Sequence, residues 1–132
     1  MSTDLGFTVI LEGDFADVEA KTREALMAEG FGVLTEIDVQ ATFRKKLDVD
    51  FRPYKILGAC NPPLAYDALT AAPDIGLLLP CNVTVAQTDD GKIEVALIDP
   101  VVMLGVAQNP DVAPVAEEVQ ARMKRVLAAL QA

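Results

Sequence analysis

The chain contains no histidine and no tryptophan. Without histidine it has neither the Ser-His-Asp nor the Cys-His arrangement of nucleophilic catalysis, no HExxH zinc motif and no histidine general base. Its two cysteines, Cys60 and Cys81, do not form a CxxC motif, and no further cysteine or histidine completes a zinc set. Histidine-dependent enzymes and structural zinc domains are therefore excluded.

Long apolar runs and positive charge are also scarce. No run approaches the roughly 18 apolar residues of a membrane-spanning helix. Eleven basic against 20 acidic residues leave a net charge of -9, so the phosphate backbone of a nucleic acid would be repelled. Residues 1–6 lack the basic and apolar regions of a secretory signal. We therefore expect a cytosolic protein whose cysteines are reduced, with neither nucleic acid nor membrane as partner.

The composition suits one folded domain. With 132 residues, 52% of them hydrophobic, the chain can bury a core without disulfides or metal, and residues 1–132 are interpreted as a single domain. Apolar periodicity and turn signals predict strands over 7–11, 32–39, 50–59, 76–87 and 92–98, and helices over 14–29, 40–47, 61–73 and 113–130. The order β-α-β-α-β-α-β-β-α predicts an α+β fold, with helices packed on a mixed, partly antiparallel sheet of about five strands.

The segment 76–87 has the clearest strand pattern. Its residues Leu77, Leu79, Cys81, Val83 and Val85 are all apolar and alternate along the chain. The Asp-Asp-Gly turn at 89–91 joins this strand to the next one, which predicts a β-hairpin. Cys81 is thereby predicted to face the core.

Two Cys-Asn dipeptides, Cys60-Asn61 and Cys81-Asn82, each adjoin a proline and form the first candidate site. A pair of thiols there would bind a thiophilic ion, react with an electrophile or exchange with disulfides. The alternative is that Cys81 is an ordinary core residue. Cys60 stands where a helix begins, and because the helix dipole favours a thiolate at that position, we expect Cys60 to be the more reactive thiol.

Five of the eleven basic residues, Arg44, Lys45, Lys46, Arg52 and Lys55, fall within twelve positions of an otherwise acidic chain. This segment predicts local binding of a carboxylate or phosphate. No glycine-rich loop indicates a nucleotide. The alternative is that the cations at 44–46 are the solvated carboxyl end of a short helix, where positive charge is favoured.

Three carboxylates form a weaker candidate group. Glu36 and Asp38 share one strand face, and Asp99 follows another strand. Paired acids can share a proton or bind a hard cation, but solvated acids on a sheet face are the commoner arrangement. No metal site and no cofactor are assigned.

Several segments are specific in sequence. They are Thr-Glu-Ile-Asp-Val at 35–39, the Arg-Lys-Lys run at 44–46, Gly-Ala-Cys-Asn-Pro at 58–62 and Leu-Pro-Cys-Asn at 79–82. Together they resemble the domain of unknown function 302 family of small bacterial and archaeal proteins, over about 33–104. The resemblance implies a compact α+β domain that self-associates, and it transfers no catalytic residue because the family has no agreed activity.

The leading hypothesis is a homodimeric domain that binds or senses a small molecule or an anion. Its pocket is predicted between the Cys60 turn, the Pro80-Cys81-Asn82 segment and the basic segment, with these ligand-binding residues: Arg52, Lys55, Cys60, Asn61, Cys81 and Asn82. One alternative is a thiol-dependent enzyme or redox protein using Cys60 and Cys81, and another is a structural or interaction module. The dimer is expected because one sheet face would expose a mixed set of side chains that is too apolar to remain in contact with water, such as Ile10, Leu34, Leu78, Thr84, Ala96 and Ile98.

Overall fold

A computed structural model describes residues 2–132. The strands are β1 Gly6–Leu11, β2 Gly32–Asp38, β3 Tyr54–Cys60, β4 Cys81–Gln87 and β5 Ile93–Ile98. The helices are α1 Phe15–Ala28, α2 Val39–Leu47, α3 Pro62–Ala71, α4 Pro100–Gly105 and α5 Ala113–Gln131, with a 3-10 helix at Pro73–Leu78. The α+β class and the order of the predicted elements are confirmed. Helix α4 and the 3-10 helix are additional elements.

The five strands form one sheet in the order β1-β5-β4-β3-β2. Every pairing among the described strands is antiparallel, so the expectation of a mixed sheet is corrected in this respect. The end of β3 pairs with the start of β4, Ala59 opposite Cys81. Because α3 and the 3-10 helix return the chain to the sheet at the end where it left, β4 runs antiparallel to β3.

Helices α1 and α5 cover one face of the sheet. Each presents an apolar stripe at helical spacing, and the strands present every second side chain to the same layer. Fully buried members of this core include Leu26, Leu57, Val83, Val95, Met123 and Val126. Within residues 2–132, no helix combines the length and apolar character that crossing a membrane requires.

The segment 76–87 differs from its predicted structure. Its first residues belong to the 3-10 helix Pro73–Leu78, and Leu77 is 90% exposed. The strand begins only at Cys81, because Pro80 cannot donate to a strand ladder and the proline that opens the 3-10 helix favours a helical start. Leu78, expected on the exposed sheet face, lies in the 3-10 helix instead.

The sheet face opposite α1 and α5 is partly apolar, as predicted. Register and strand alternation place the following side chains on it: Ile10, Ala96, Thr84, Ile56 and Ile37. Ile10 and Ile37 are 48% and 49% exposed. Leu34 was expected on this face but contributes to a cavity wall, because the register of β2 shifts between Val33 and Thr35. The surface made by these side chains is called the open face below.

Candidate functional site

The two Cys-Asn segments meet at one end of the sheet. The pair Ala59 and Cys81 joins β3 to β4, which places Cys60 directly beyond that pair. From Cys60 the chain enters α3 through Asn61, and it returns to β4 from the 3-10 helix through Pro80. The antiparallel register therefore brings together two motifs that lie far apart in the sequence.

A cavity of about 290 Å³ lies at this end of the sheet, bounded by α3, α4 and α5. Most of its wall is aliphatic or aromatic, and includes Phe31, Leu64, Ala68, Leu79, Leu104 and Val119. Its polar lining residues are Thr35, Cys60, Asn61 and Cys81. None of the lining residues among 2–132 carries a charge. The cavity thus contains three of the predicted ligand-binding residues in an otherwise apolar wall.

Asn61 has a defined role in the fold at this cavity. The residue is 8% exposed, and its Oδ1 accepts the backbone N–H of Leu64 at 3.5 Å, which caps α3. Its Nδ2 donates to the carbonyl of Glu29 at 3.4 Å, and Arg122 Nη1 donates to the same carbonyl at 2.9 Å. Asn61 therefore links the start of α3 to the end of α1 and uses both of its polar atoms in doing so.

Gly58 is a residue of the site that sequence reasoning missed. A Cβ at this position would lie 2.0 Å from Thr35 Oγ1 and 2.7 Å from Pro80 Cγ, and both of those side chains line the cavity. The glycine thus permits Thr35 and Pro80 to approach each other across β3. Its cross-strand partner Asn82 is exposed and does not line the cavity. The sequence feature that could have identified Gly58 is its position in the Gly-Ala-Cys-Asn-Pro block.

Arg52 and Lys55 do not join the cavity. Arg52 Nη2 lies 2.6 Å from Asp89 Oδ1, and Lys55 Nζ lies 2.9 Å from Glu19 Oε1. The hydrogen bond to Glu19 raises the pKa of Lys55. Lys55 precedes Cys60 by five residues along β3, a distance of roughly 16 Å at strand spacing. The structure therefore does not bring Arg52 and Lys55 together with the Cys-Asn segments at the cavity, because each of these two cations is paired with a carboxylate elsewhere.

The three candidate carboxylates have separate partners. Glu36 pairs with Arg23, and Asp38 Oδ1 accepts the backbone N–H of Ala41 at the start of α2. Asp99 Oδ1 accepts the backbone N–H of Val101 at the start of α4. The part of the chain that the structure describes contains no group of three metal-ligating side chains. The acids thus act as ion-pair partners and helix caps.

Comparison with protein families gives an independent assignment. The family model described as "Domain of unknown function DUF302" matches residues 7–130. The chain belongs to the DUF302 family. A crystal structure of an uncharacterized conserved protein DUF302 from Bacillus stearothermophilus is similar, with a TM-score of 0.84, 29% sequence identity and 96% of each chain covered. A comparison with curated proteins found no match. The family resemblance read from the sequence is confirmed.

The two thiols of this DUF302 domain are not joined in a disulfide, and both are at least partly shielded from water. Burial raises the pKa of Cys60, and burial together with the nearby Cys60 raises the pKa of Cys81 to about 11. For Cys60 this is opposite to the direction expected from the helix dipole, because burial removes water from around the charged thiolate. Both groups are therefore thiols rather than thiolates at neutral pH.

The thiols are predicted to differ in alkylation rate. Cys60 is partly exposed whereas Cys81 is 6% exposed and ionises only near pH 11, so we expect iodoacetamide to label Cys60 at least about tenfold faster. The rate at Cys60 should still rise above pH 9, because its pKa is raised. Peptide mapping of the folded protein after timed labelling measures both rates. A plateau of the Cys60 rate below pH 8 would instead favour the catalytic-thiol alternative.

Proposed function

We propose that this DUF302 domain binds a small ligand in the cavity at the end of β3 and β4, as a binding or sensing domain. The observation that carries the proposal is the concave site itself, where residues of both cysteine-containing blocks line one apolar space of about 290 Å³. That volume is close to the lower end of the roughly 300–1,000 Å³ range of small-molecule sites. Most such sites are apolar with a few polar groups, as this one is.

The thiols favour binding over thiol catalysis. A nucleophilic cysteine requires a depressed pKa and access to its substrate. Burial raises the pKa of both Cys60 and Cys81. Neither residue has a histidine partner, since the chain contains none. As wall residues, the two thiols instead supply polarizable, weakly hydrogen-bonding surface to a ligand.

Ala65 provides a direct test, because it is a half-buried wall residue of α3. Ala65→Phe should occupy part of the cavity and weaken ligand binding at least about tenfold. The matched control is Ala71→Phe on the same helix, which is exposed and does not line the cavity. Binding is measured by titrating a panel of methyl benzoate, benzoate, 1-octanol and octanoate while following the methyl resonances of Leu64 and Val119. If no compound shifts these resonances in the unmodified protein, the proposal fails.

A cytosolic homodimer completes the proposal. Free cysteines suit a reducing compartment. The row of the open face from Ala96 to Ile37 is uncharged, with Ile37 beside Ile56 in the strand register, and Glu94 lies in the neighbouring row opposite Ile10. Two-fold pairing of this face would remove its apolar side chains from water. Light scattering at micromolar concentration should therefore return twice 14.1 kDa. Ile37→Glu should return 14.1 kDa, whereas the exposed control Leu77→Glu should not. A mass of 14.1 kDa for the unmodified protein would overturn the dimer.

A further inference from the structure

The cavity wall also identifies a class of ligand, an inference that rests on the proposed function and deepens it. We propose that the occupant is a neutral, predominantly apolar molecule with at most one uncharged polar group, and not an anion. The juxtaposition that carries this is an aliphatic and aromatic wall closed by two cysteines and by an asparagine whose amide nitrogen and amide oxygen each hydrogen-bond within the protein. Each of these features bears on the charge of the ligand.

Positive charge is the first requirement of an anion site. An anion moved from water into an apolar wall loses its hydration and must be compensated by a cation or by several donors. No charged residue among 2–132 lines this cavity. The cations that were predicted to bind an anion form ion pairs outside the cavity, Arg52 with Asp89 and Lys55 with Glu19. The protein as a whole carries a net charge of -9, which also opposes the approach of an anion.

Hydrogen-bond donors are the second requirement of an anion site. The amide of Asn61 donates to the carbonyl of Glu29 and accepts from the backbone of Leu64. The backbone N–H of Leu64 at the start of α3 is therefore hydrogen-bonded within the protein and does not point to a ligand in the cavity. The remaining lining groups are the second N–H of the Asn61 amide, the Thr35 hydroxyl and the two thiols, and a thiol is a weak donor. These groups suit one hydroxyl or carbonyl of a ligand and do not suit a carboxylate or phosphate.

The volume of the cavity limits the size of the ligand. An apolar cavity of about 150 Å³ takes up benzene, which has six carbon atoms. The 290 Å³ of this cavity thus corresponds to a ligand of on the order of ten non-hydrogen atoms on the same scale. A single aromatic ring with a short substituent, or a medium-length alkyl chain, has this volume.

The test uses two pairs of compounds with similar shape and different charge at pH 7. They are methyl benzoate against benzoate, and 1-octanol against octanoate. Each compound is titrated separately into the full chain while the methyl resonances of Leu64 and Val119 are followed. We expect the neutral member of a pair to bind at least about tenfold more tightly. Ala65→Phe should weaken that binding, and Ala71→Phe should leave it unchanged.

Other outcomes distinguish a failure of the neutral-ligand inference from a failure of the proposed ligand binding in the cavity. If benzoate or octanoate binds in the cavity as tightly as its neutral partner, ligand binding stands and the inference about charge is overturned. If no compound moves the two sets of resonances, cavity binding fails and the inference fails with it. If raising the protein concentration alone produces the same shifts, a second copy of the chain fills the cavity and the inference is also overturned.

Discussion

Gly58→Ala is expected to destabilise the protein by about 3 kcal/mol or more, which is the upper part of the range for an added methyl group in a close-packed site. The new Cβ would lie 2.0 Å from Thr35 Oγ1 and 2.7 Å from Pro80 Cγ. Real Cβ atoms do not approach other atoms so closely, so the Thr35 side chain would have to rotate and the Pro80 ring, with the segment before β4, would have to move. Because both neighbours line the cavity, the same movement should weaken ligand binding.

A matched control lies on the adjacent strand. Gly32 of β2 pairs with Cys60, and a Cβ added to it would have no described atom of another part of the chain within 4 Å. Gly32→Ala should therefore leave stability unchanged or raise it by up to about 1 kcal/mol, because alanine restricts the unfolded chain. Urea unfolding followed by circular dichroism compares the two variants. Equal unfolding midpoints would contradict the close packing assigned to Gly58.

The sequence predicted the fold well where burial of one sheet face makes every second residue of a strand apolar. Val83 and Val85 are fully buried and Cys81 nearly so, since α1 and α5 cover one face of a sheet in which side chains alternate. The same rule failed for Leu77. Its apolar character continues the alternation, but Pro73 and Pro80 on either side favour a 3-10 turn over a strand. Alternation of apolar residues alone does not indicate at which residue the backbone of a strand begins to pair with its neighbour.

The site was predicted in part, for a related reason. The proximity of Cys60 and Cys81 follows from antiparallel pairing of β3 and β4, and the sequence predicted a strand beside each cysteine. The location of Lys55 depends on Glu19, a residue of α1 distant in sequence, and no local signal identifies that partner. Cations that are close along the chain therefore lie outside the cavity, each beside its own carboxylate.

Leu57→Ala is expected to reduce the free energy of unfolding by about 2–5 kcal/mol, the usual cost of truncating a buried leucine. Leu57 lies in β3 in the interior of the sheet and is 0% exposed. Its side chain belongs to the core between the sheet and helices α1 and α5. Without its methyl groups the protein loses the free energy gained by moving them out of water. The substitution also leaves a cavity that the central strands cannot close.

Leu77→Ala tests the structure of the segment before β4 with the same chemical change. Leu77 is 90% exposed in the 3-10 helix, so its truncation should alter stability by no more than about 0.5 kcal/mol. A continuous strand over 76–87 would instead place Leu77 in the register of Cys81, and both leucine truncations would then be costly. Urea unfolding of the two variants distinguishes these structures. A loss of about 2 kcal/mol or more for Leu77→Ala would contradict the exposed 3-10 helix.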